Sequence, residues 1–183
     1  MRGRHLVALC AAVAIGALTV ATIAWGGASS RQVQMLDNCD GPSFNEVIGP
    51  GTCARNGGLT FDKFVAGLVE NGEVESWRFS PDKVSLDAGG TITAVNRGGE
   101  DHTFSEVEEF GGGCIEDVNQ LIDPDLEPVE ECTGFPGSPP GNHLFFETLA
   151  APGASVTTDP LPAGTHKFLC LIHPWMRATV TAN

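Results

Sequence analysis

Cys170-Leu171-Ile172-His173-Pro174-Trp175-Met176, near the C-terminus, places a thiol, an imidazole and a thioether at intervals of three residues. Strand-like patterns flank this stretch, with His166–Cys170 before it and Arg177–Thr181 after it. Pro174 stiffens the connection and disfavours helix at the preceding residue. The spacing therefore predicts a tight loop between two adjacent strands, with all three donor side chains directed at one metal ion.

The donor types favour copper. Thiolate and thioether ligands suit soft copper, and imidazole suits copper in both of its common oxidation states. A second imidazole, His102, follows the β-branched run Thr91–Asn96 and a pair of glycines. Two histidines and one cysteine with a weak axial methionine form the donor set of a blue-copper centre. We therefore predict one Cu(I)/Cu(II) ion per chain, with the ligands His102, Cys170, His173 and Met176.

Two other histidines compete with His102 for the role of second imidazole. His166 is four positions before Cys170 in the same strand, so the two should lie about 13 Å apart. His143 follows a Gly-Asn pair and is expected at the surface. Zinc is a weaker candidate than copper because a thioether is a poor zinc ligand. A dinuclear copper centre would need a second cysteine beside Cys170, and the sequence has none there.

The cysteine count supports a free thiol at position 170. One of the six cysteines, Cys10, lies in the apolar N-terminal run, which leaves an odd number in the rest of the chain. An oxidising compartment pairs thiols, and an odd number leaves one over. Of the three possible connectivities we favour the local one, because each pair brackets a short loop rich in glycine or proline. The predicted disulfides are Cys39–Cys53 and Cys114–Cys132.

The first 28 residues carry a targeting pattern. A basic start is followed by 20 uncharged residues, from Leu6 to Trp25, and then by small residues suited to signal cleavage. The run is also long enough to span a bilayer. Residues 1–28 are therefore predicted to be a signal peptide or an N-terminal membrane anchor. Either places the protein in the periplasm or outside the cell, membrane-anchored by residues 6–25 if the segment is retained.

The remaining chain predicts one all-β domain with additions. Residues 29–58 are expected to form an irregular exported leader, and residues 59–183 the domain, with a long disulfide-tethered insertion at 111–142. Thr60 is placed to cap a short helix over Phe61–Asn71. Short alternating runs separated by turns favour a β-sandwich. They are Trp77–Phe79, Val84–Leu86, Thr91–Asn96, Leu144–Phe146, Ser155–Thr158, His166–Cys170 and Arg177–Thr181.

The charge excludes some partners. The formal net charge is −13. Without residues 1–28, Lys and Arg fall from 10 to 8 against 23 acidic residues, which gives a net charge of −15. Nucleic acid is a poor partner for such a surface, because phosphate binding needs clustered basic residues. We expect a monomer that meets a basic redox protein, such as a cytochrome or an oxidoreductase. We expect contact with a membrane only if the N-terminal segment is retained.

The ligand pattern resembles the cupredoxins, the family of plastocyanin and azurin. The resemblance rests on Cys170-x-x-His173-x-x-Met176 with Asn96 and His102 upstream, and the short loop is most similar to that of amicyanin. It covers roughly residues 73–110 and 143–183. Asp101 departs from amicyanin, which has proline before the first histidine. The resemblance implies a Greek-key β-sandwich with a type 1 (blue) copper site near one end.

The resemblance also implies roles for individual residues. Asn96 would tie the two ligand loops together by hydrogen bonds near the thiolate. His173 would be the electron port, reaching the surface through an apolar patch formed by Leu171, Ile172, Pro174 and Trp175. The implied function is to shuttle single electrons between extracytoplasmic redox partners.

Two other functions use the same residues differently. A copper storage or delivery protein could share all four ligands and have no electron-transfer role. A multicopper oxidase or nitrite reductase would need further copper sites, usually with paired His-x-His motifs, and additional domains. The isolated histidines of this chain do not form such motifs, so we expect no enzymatic activity.

Overall fold

The computed structural model describes residues 29–133 and 144–183. The predicted targeting segment 1–28, the end of the predicted insertion and His143 lie outside these residues. Across the two described ranges, none of the helices is long and apolar enough to cross a bilayer.

Strands dominate the described residues, and short helices lie between them. The strands are β1 (Ser30–Leu36), β2 (Arg78–Ser80), β3 (Lys83–Leu86), β4 (Thr91–Asn96), β5 (His102–Thr103), β6 (Ser105–Val107), β7 (Leu149–Ala150), β8 (Ser155–Thr157), β9 (Gly164–Leu169) and β10 (Arg177–Ala182). The α-helices are α1 (Gly41–Val47), α2 (Phe61–Asn71), α3 (Glu116–Ile122) and α4 (Leu144–Glu147), and a 3₁₀ turn covers Glu130–Cys132.

Two four-stranded sheets form a sandwich. One has the order β2-β1-β4-β8 and the other β3-β10-β9-β6, while β5 and β7 pair separately. The chain crosses repeatedly between the sheets, since β2, β4 and β8 belong to the first and β3, β6 and β9 to the second. Alternating apolar side chains face inward from both sheets, as in Val84 and Leu86 on β3 and Ile92 and Ala94 on β4. The predicted all-β sandwich is confirmed.

The N-terminal segment, residues 29–58, is not an irregular leader, and that prediction is wrong. Its strand β1 lies inside the first sheet, antiparallel to β2 and parallel to β4. Val33 and Met35 are completely buried in the common core. The strand escaped prediction because its alternation is short, with only two buried apolar positions among polar ones. The domain therefore includes residues 30–58 as well as residues from 59 onward.

Helix α2 was predicted correctly, whereas helix α4 was predicted to be a strand. Helix α2 has the predicted limits and ends at Gly72 in the left-handed conformation. Its Phe64 and Leu68 are buried against the rest of the domain, whereas Val69 is exposed. Leu144–Glu147 is a helical turn and not the predicted strand. Those bulky apolar residues are equally compatible with a buried helical segment, so the pattern did not decide between the two.

Both predicted disulfides are present. Cys39 pairs with Cys53 and Cys114 pairs with Cys132. In the described part of the chain Cys170 is the free cysteine, and it is buried. The first disulfide closes a loop around α1, whose first turn is capped by the carboxylate of Asp40. On the chain-entropy model, closing a loop of this length contributes about 3 kcal/mol to stability.

Candidate metal centre

Three of the four predicted ligands meet at one point in the structure. The Sγ atom of Cys170 lies 3.9 Å from Nδ1 of His102 and 3.7 Å from Nδ1 of His173. The three donor atoms all lie within 4.8 Å of one another, and all three residues are buried. The sequence pattern thus predicted that these three residues meet, although they are separated by as many as 71 positions.

The ligand loop, residues 170–176, is closed by its own backbone. The N–H of Cys170 donates to the carbonyl of Met176, and the N–H of Met176 donates to the carbonyl of His173. Cys170 follows the last residue of β9, and β10 begins directly after Met176. The Met176 side chain is completely buried in the core. Its place at the end of this loop agrees with the predicted axial position, which stays a prediction.

The two ligand-bearing segments are joined by Thr103 and not by Asn96, so that prediction is wrong. The Thr103 hydroxyl accepts a hydrogen bond from the N–H of Leu171, at 2.7 Å. The Thr103 N–H points at the Cys170 sulfur, at 3.5 Å. Thr103 has this role because it follows His102 directly on β5.

Asn96 instead organises the turn that leads to His102. Its amide donates to the carbonyls of Glu100 and Ala150, and its side-chain oxygen accepts from the N–H of Gly98. The side chain faces this turn because Asn96 is the last residue of β4. Its hydrogen bonds therefore hold the approach to His102 and do not cross to the ligand loop.

A buried carboxylate from the N-terminal segment supports His102. The Nε2–H of His102 donates to Oδ2 of Asp37 at 2.9 Å, and both side chains are fully buried. Burial opposes ionisation of Asp37, but the bond from His102 and those from the backbone of Glu100 and Gly99 lower its pKa to about 2. Burial likewise opposes the charged form of His102, but the Asp37 bond and the nearby Cys170 raise its pKa to about 9 in the metal-free protein.

A second buried carboxylate lies beside His173. Oε2 of Glu100 is 3.7 Å from Nε2 of His173 and accepts a 2.6 Å hydrogen bond from the Trp77 indole. Burial raises the pKa of Glu100, against the opposing effects of His173 and of the Trp77 bond. Each predicted histidine ligand therefore has one nitrogen near the thiol and the other near a carboxylate.

His173 is covered, which contradicts the predicted apolar port. It is 3% exposed, and Leu171 in the predicted patch is fully buried. Pro174 is buried as well, so that only Ile172 and Trp175 of the patch are partly exposed. Residues outside the ligand loop contribute to this cover, since Phe64 of α2 packs its ring edge-on against His173 at 6.4 Å.

The thiol of Cys170 is prepared to ionise. Complete burial would raise its pKa, but the contacts with the His102 and His173 imidazoles outweigh this and hold the pKa well below its usual value. A thiolate is the form that binds metal. The competing His166 is elsewhere, since its ring nitrogens bond to Glu106 and to the carbonyl of Pro162.

Sequence reasoning missed the roles of Asp37 and Thr103. Asp37 gave no signal of its own, because it lay in a segment assigned no structure. Thr103 could have been suspected, since a hydroxyl residue beside a predicted ligand on a strand end can bond across to a neighbouring loop.

Comparisons with known proteins give distant structural likenesses. A purple cupredoxin from Nitrosopumilus maritimus aligns at 14% identity with a TM-score of 0.39, covering 84% of this chain and 99% of that one. Amicyanin from Paracoccus versutus aligns at 18% identity with a TM-score of 0.35, covering 61% of this chain and 77% of that one. No protein-family model and no curated protein sequence matches the chain.

These identities and TM-scores are low, so the assignment of chemistry rests on the site itself. Two features are observed directly in this chain. They are the strand order of the two sheets and the buried cluster of His102, Cys170 and His173. On that basis the chain has an all-β sandwich fold with a candidate metal centre at the end of β9.

Proposed function

We propose that this protein binds one copper ion in a type 1 site and carries single electrons between redox partners. The observation that supports this most strongly is the convergence of two imidazole nitrogens on a buried free thiol, at 3.7 and 3.9 Å. The proposed ligands are His102 Nδ1, Cys170 Sγ and His173 Nδ1, with Met176 as the weak axial ligand.

The donor spacing fits a single ion. First-row divalent metals bind imidazole nitrogen at about 2.0 Å and thiolate sulfur at about 2.3 Å. Two such bonds about 120° apart hold their donor atoms roughly 3.7 Å from each other. The Sγ atom of Cys170 is close to this distance from both imidazole nitrogens. Bound copper would supply the one-electron Cu(I)/Cu(II) couple.

The surrounding residues supply rigidity. Cys170 is fixed by backbone bonds at the end of β9, and His102 is held by Asp37 from the opposite side. Because the ligands are held by the folded protein, little needs to move when the oxidation state changes. A small rearrangement lowers the activation energy of electron transfer, as preorganised polar groups do in other reactions.

Trp175 is the proposed route for electrons between the site and the surface. Its ring lies 5.4 Å from the His173 ring, centroid to centroid, and the indole N–H donates to the carbonyl of Val74. Trp175 is partly exposed, whereas His173 is covered. The electron therefore passes from His173 through the indole rather than directly from the imidazole edge.

The partner and the location are part of this proposal. The acidic surface would attract a basic redox protein, and association should then slow as salt is added. An association rate that does not change with salt would contradict electrostatic attraction. Two disulfides in the described residues favour an oxidising compartment, which supports export by residues 1–28.

The experiment is to add one equivalent of Cu(II) to the purified protein and record its visible and EPR spectra. We expect an intense visible band from thiolate-to-copper charge transfer and a narrow copper hyperfine splitting. Cys170→Ser should lose the band, and Met176→Gln should keep the copper and lower the reduction potential. A weak band with wide hyperfine splitting in the unaltered protein would contradict a type 1 site.

A copper storage or delivery protein would use the same four ligands. The two functions differ in how readily the copper ion leaves the protein. Storage or delivery requires its release, whereas electron transfer requires that it stay bound. Complete burial of His102 and Cys170 favours retention. Fast electron exchange with an inorganic oxidant, together with slow loss of copper to a chelator, is the expected result; the reverse pair would indicate storage or delivery.

A further inference from the structure

We propose that Asp37, in the N-terminal segment, positions the ligand His102 and favours Cu(II) over Cu(I) through its negative charge. This inference rests on the proposed function, because it concerns the same copper site. It assigns to β1 and the turn after it a direct part in setting the reduction potential.

The carboxylate of Asp37 is the acceptor for a set of converging donors. Oδ1 accepts from the N–H of Cys39 and of Gly99, at 3.1 and 2.9 Å. Oδ2 accepts from Gly99, from the N–H of Glu100 and from His102 Nε2, at 2.7, 3.0 and 2.9 Å. Apart from His102, the donors are neutral backbone N–H groups. The imidazole is therefore the donor whose electron density depends most on the charge of the carboxylate.

The backbone around Asp37 leaves the carboxylate little freedom to move. Strand β1 is parallel to β4, with Met35 opposite Asn96, so Asp37 arrives beside the turn that β4 enters. The turn passes so close that a Cβ atom at Gly98 would overlap the Asp37 carboxylate. On the other side, Cys39 is tied by its disulfide to Cys53. The placement of the carboxylate is therefore fixed by sheet register, a glycine and a covalent bond.

The hydrogen bond determines which nitrogen of His102 is available to metal. Because Nε2 carries the proton donated to Asp37, the lone pair is on Nδ1, the atom that faces Cys170. A carboxylate acceptor also makes the imidazole a stronger donor to the metal. More electron density at the ligand stabilises the ion of higher charge, which is Cu(II).

Asp101 provides a natural contrast. It is the residue directly before His102 but is exposed to solvent, so water screens its charge. Asp37 is 64 positions before Asp101 in sequence and is buried against the imidazole. If charge acts mainly through contact in a dry site, the distant residue in sequence should matter far more than the neighbouring one.

The test compares Asp37→Asn with Asp101→Asn in the copper-loaded full chain. The ratio of Cu(II) to Cu(I) dissociation constants is obtained from the reduction potential, and EPR spectra are recorded alongside. We expect Asp37→Asn to raise this ratio at least tenfold, which is a potential increase of about 59 mV for one electron. Asp101→Asn should change it by less than threefold. Equal shifts, or no shift with Asp37→Asn, would overturn the inference.

A second measurement needs no variant and covers the case in which Asp37→Asn does not fold. In the Cu(I) form of the unaltered protein, NMR should show the His102 Nε2 proton shifted downfield and protected from exchange with solvent. A rapidly exchanging proton at this nitrogen would overturn the inference. An unaltered protein without a type 1 spectrum would instead contradict the proposed function, so the two failures are distinguishable.

Discussion

The ligand loop and the N-terminal segment serve the same candidate site in different ways. Residues 170–176 carry three of the proposed ligands within seven positions, held by backbone bonds inside the loop. Residues 29–58 carry no proposed ligand, yet they supply a central strand, a disulfide and the carboxylate that holds His102. Three of the four proposed ligands are therefore local in sequence, whereas the fourth ligand, His102, is supported by residues that only the fold brings close.

The largest expected effect is on stability, from a core substitution in strand β1 of the N-terminal segment. Met35 is fully buried in the common core, and replacing such a side chain by alanine typically costs 2–5 kcal/mol. We expect Met35→Ala to lower the free energy of unfolding by about 3 kcal/mol, measured by urea denaturation of the copper-free protein.

Gln34→Ala is the matched control, because Gln34 is the preceding residue of the same strand and is exposed. Its effect should stay within about 0.5 kcal/mol. If Met35→Ala were as mild as this control, the segment would behave as a dispensable leader and the comparison would fail.

The next effect concerns the link between the two ligand segments. Thr103→Val removes the hydroxyl that accepts the Leu171 N–H and leaves a buried donor unpaired, at a cost of about 1–3 kcal/mol. We expect lower stability and faster loss of copper to a chelator. Thr103→Ser keeps the hydroxyl and should restore most of both properties. Equal behaviour of the two variants would show that this hydrogen bond has no part in holding the site.

An effect of similar size is the pH dependence of the stability of the copper-free protein. The pKa of Asp37 is about 2 in the folded protein against an ordinary 3.8. Its contribution to stability is therefore complete above pH 3.8 and is lost as the pH falls through 2, by on the order of 2 kcal/mol.

Stability should be measured at acid pH, because at higher pH the titrations of other groups change stability in opposite directions. Above pH 6.5 the raised pKa of His102 removes stability as the pH rises, while the lowered pKa of Cys170 adds it. Unfolding measured between pH 2 and 5 should show the advantage of the unaltered protein over Asp37→Asn shrinking as the pH falls. An advantage that is constant over this range would mean that the charge of Asp37 contributes nothing to folding.

Sequence reasoning predicted the parts of the site whose chemistry is carried by closely spaced residues. The Cys-x-x-His-x-x-Met spacing, an odd cysteine and a histidine after a strand were enough to place His102, Cys170 and His173 together. The count left three connectivities for the other four cysteines, and the local one, favoured for its short loops, is the one present. Strand β4 and helix α2 had clear periodicity and clear ends, and both have the predicted limits.

The errors fall where a residue acts through a contact that is distant in sequence. Asp37 reaches His102 only because β1 pairs with β4, and a single sequence does not reveal that pairing. Asn96 lies at the end of a strand, as does Thr103, but only the folded chain shows which one faces Leu171. Part of the cover over His173 comes from α2, more than 100 positions earlier, so the loop sequence alone did not reveal its burial.

A crystal structure of the copper-loaded protein, with the anomalous signal collected at the copper edge, tests the central claim most directly. We expect one anomalous peak bonded to His102 Nδ1, Cys170 Sγ and His173 Nδ1, with a longer contact to the sulfur of Met176 and the Asp37 carboxylate still hydrogen-bonded to Nε2 of His102. A peak elsewhere in the molecule, or one that lacks the Cys170 sulfur, would contradict it.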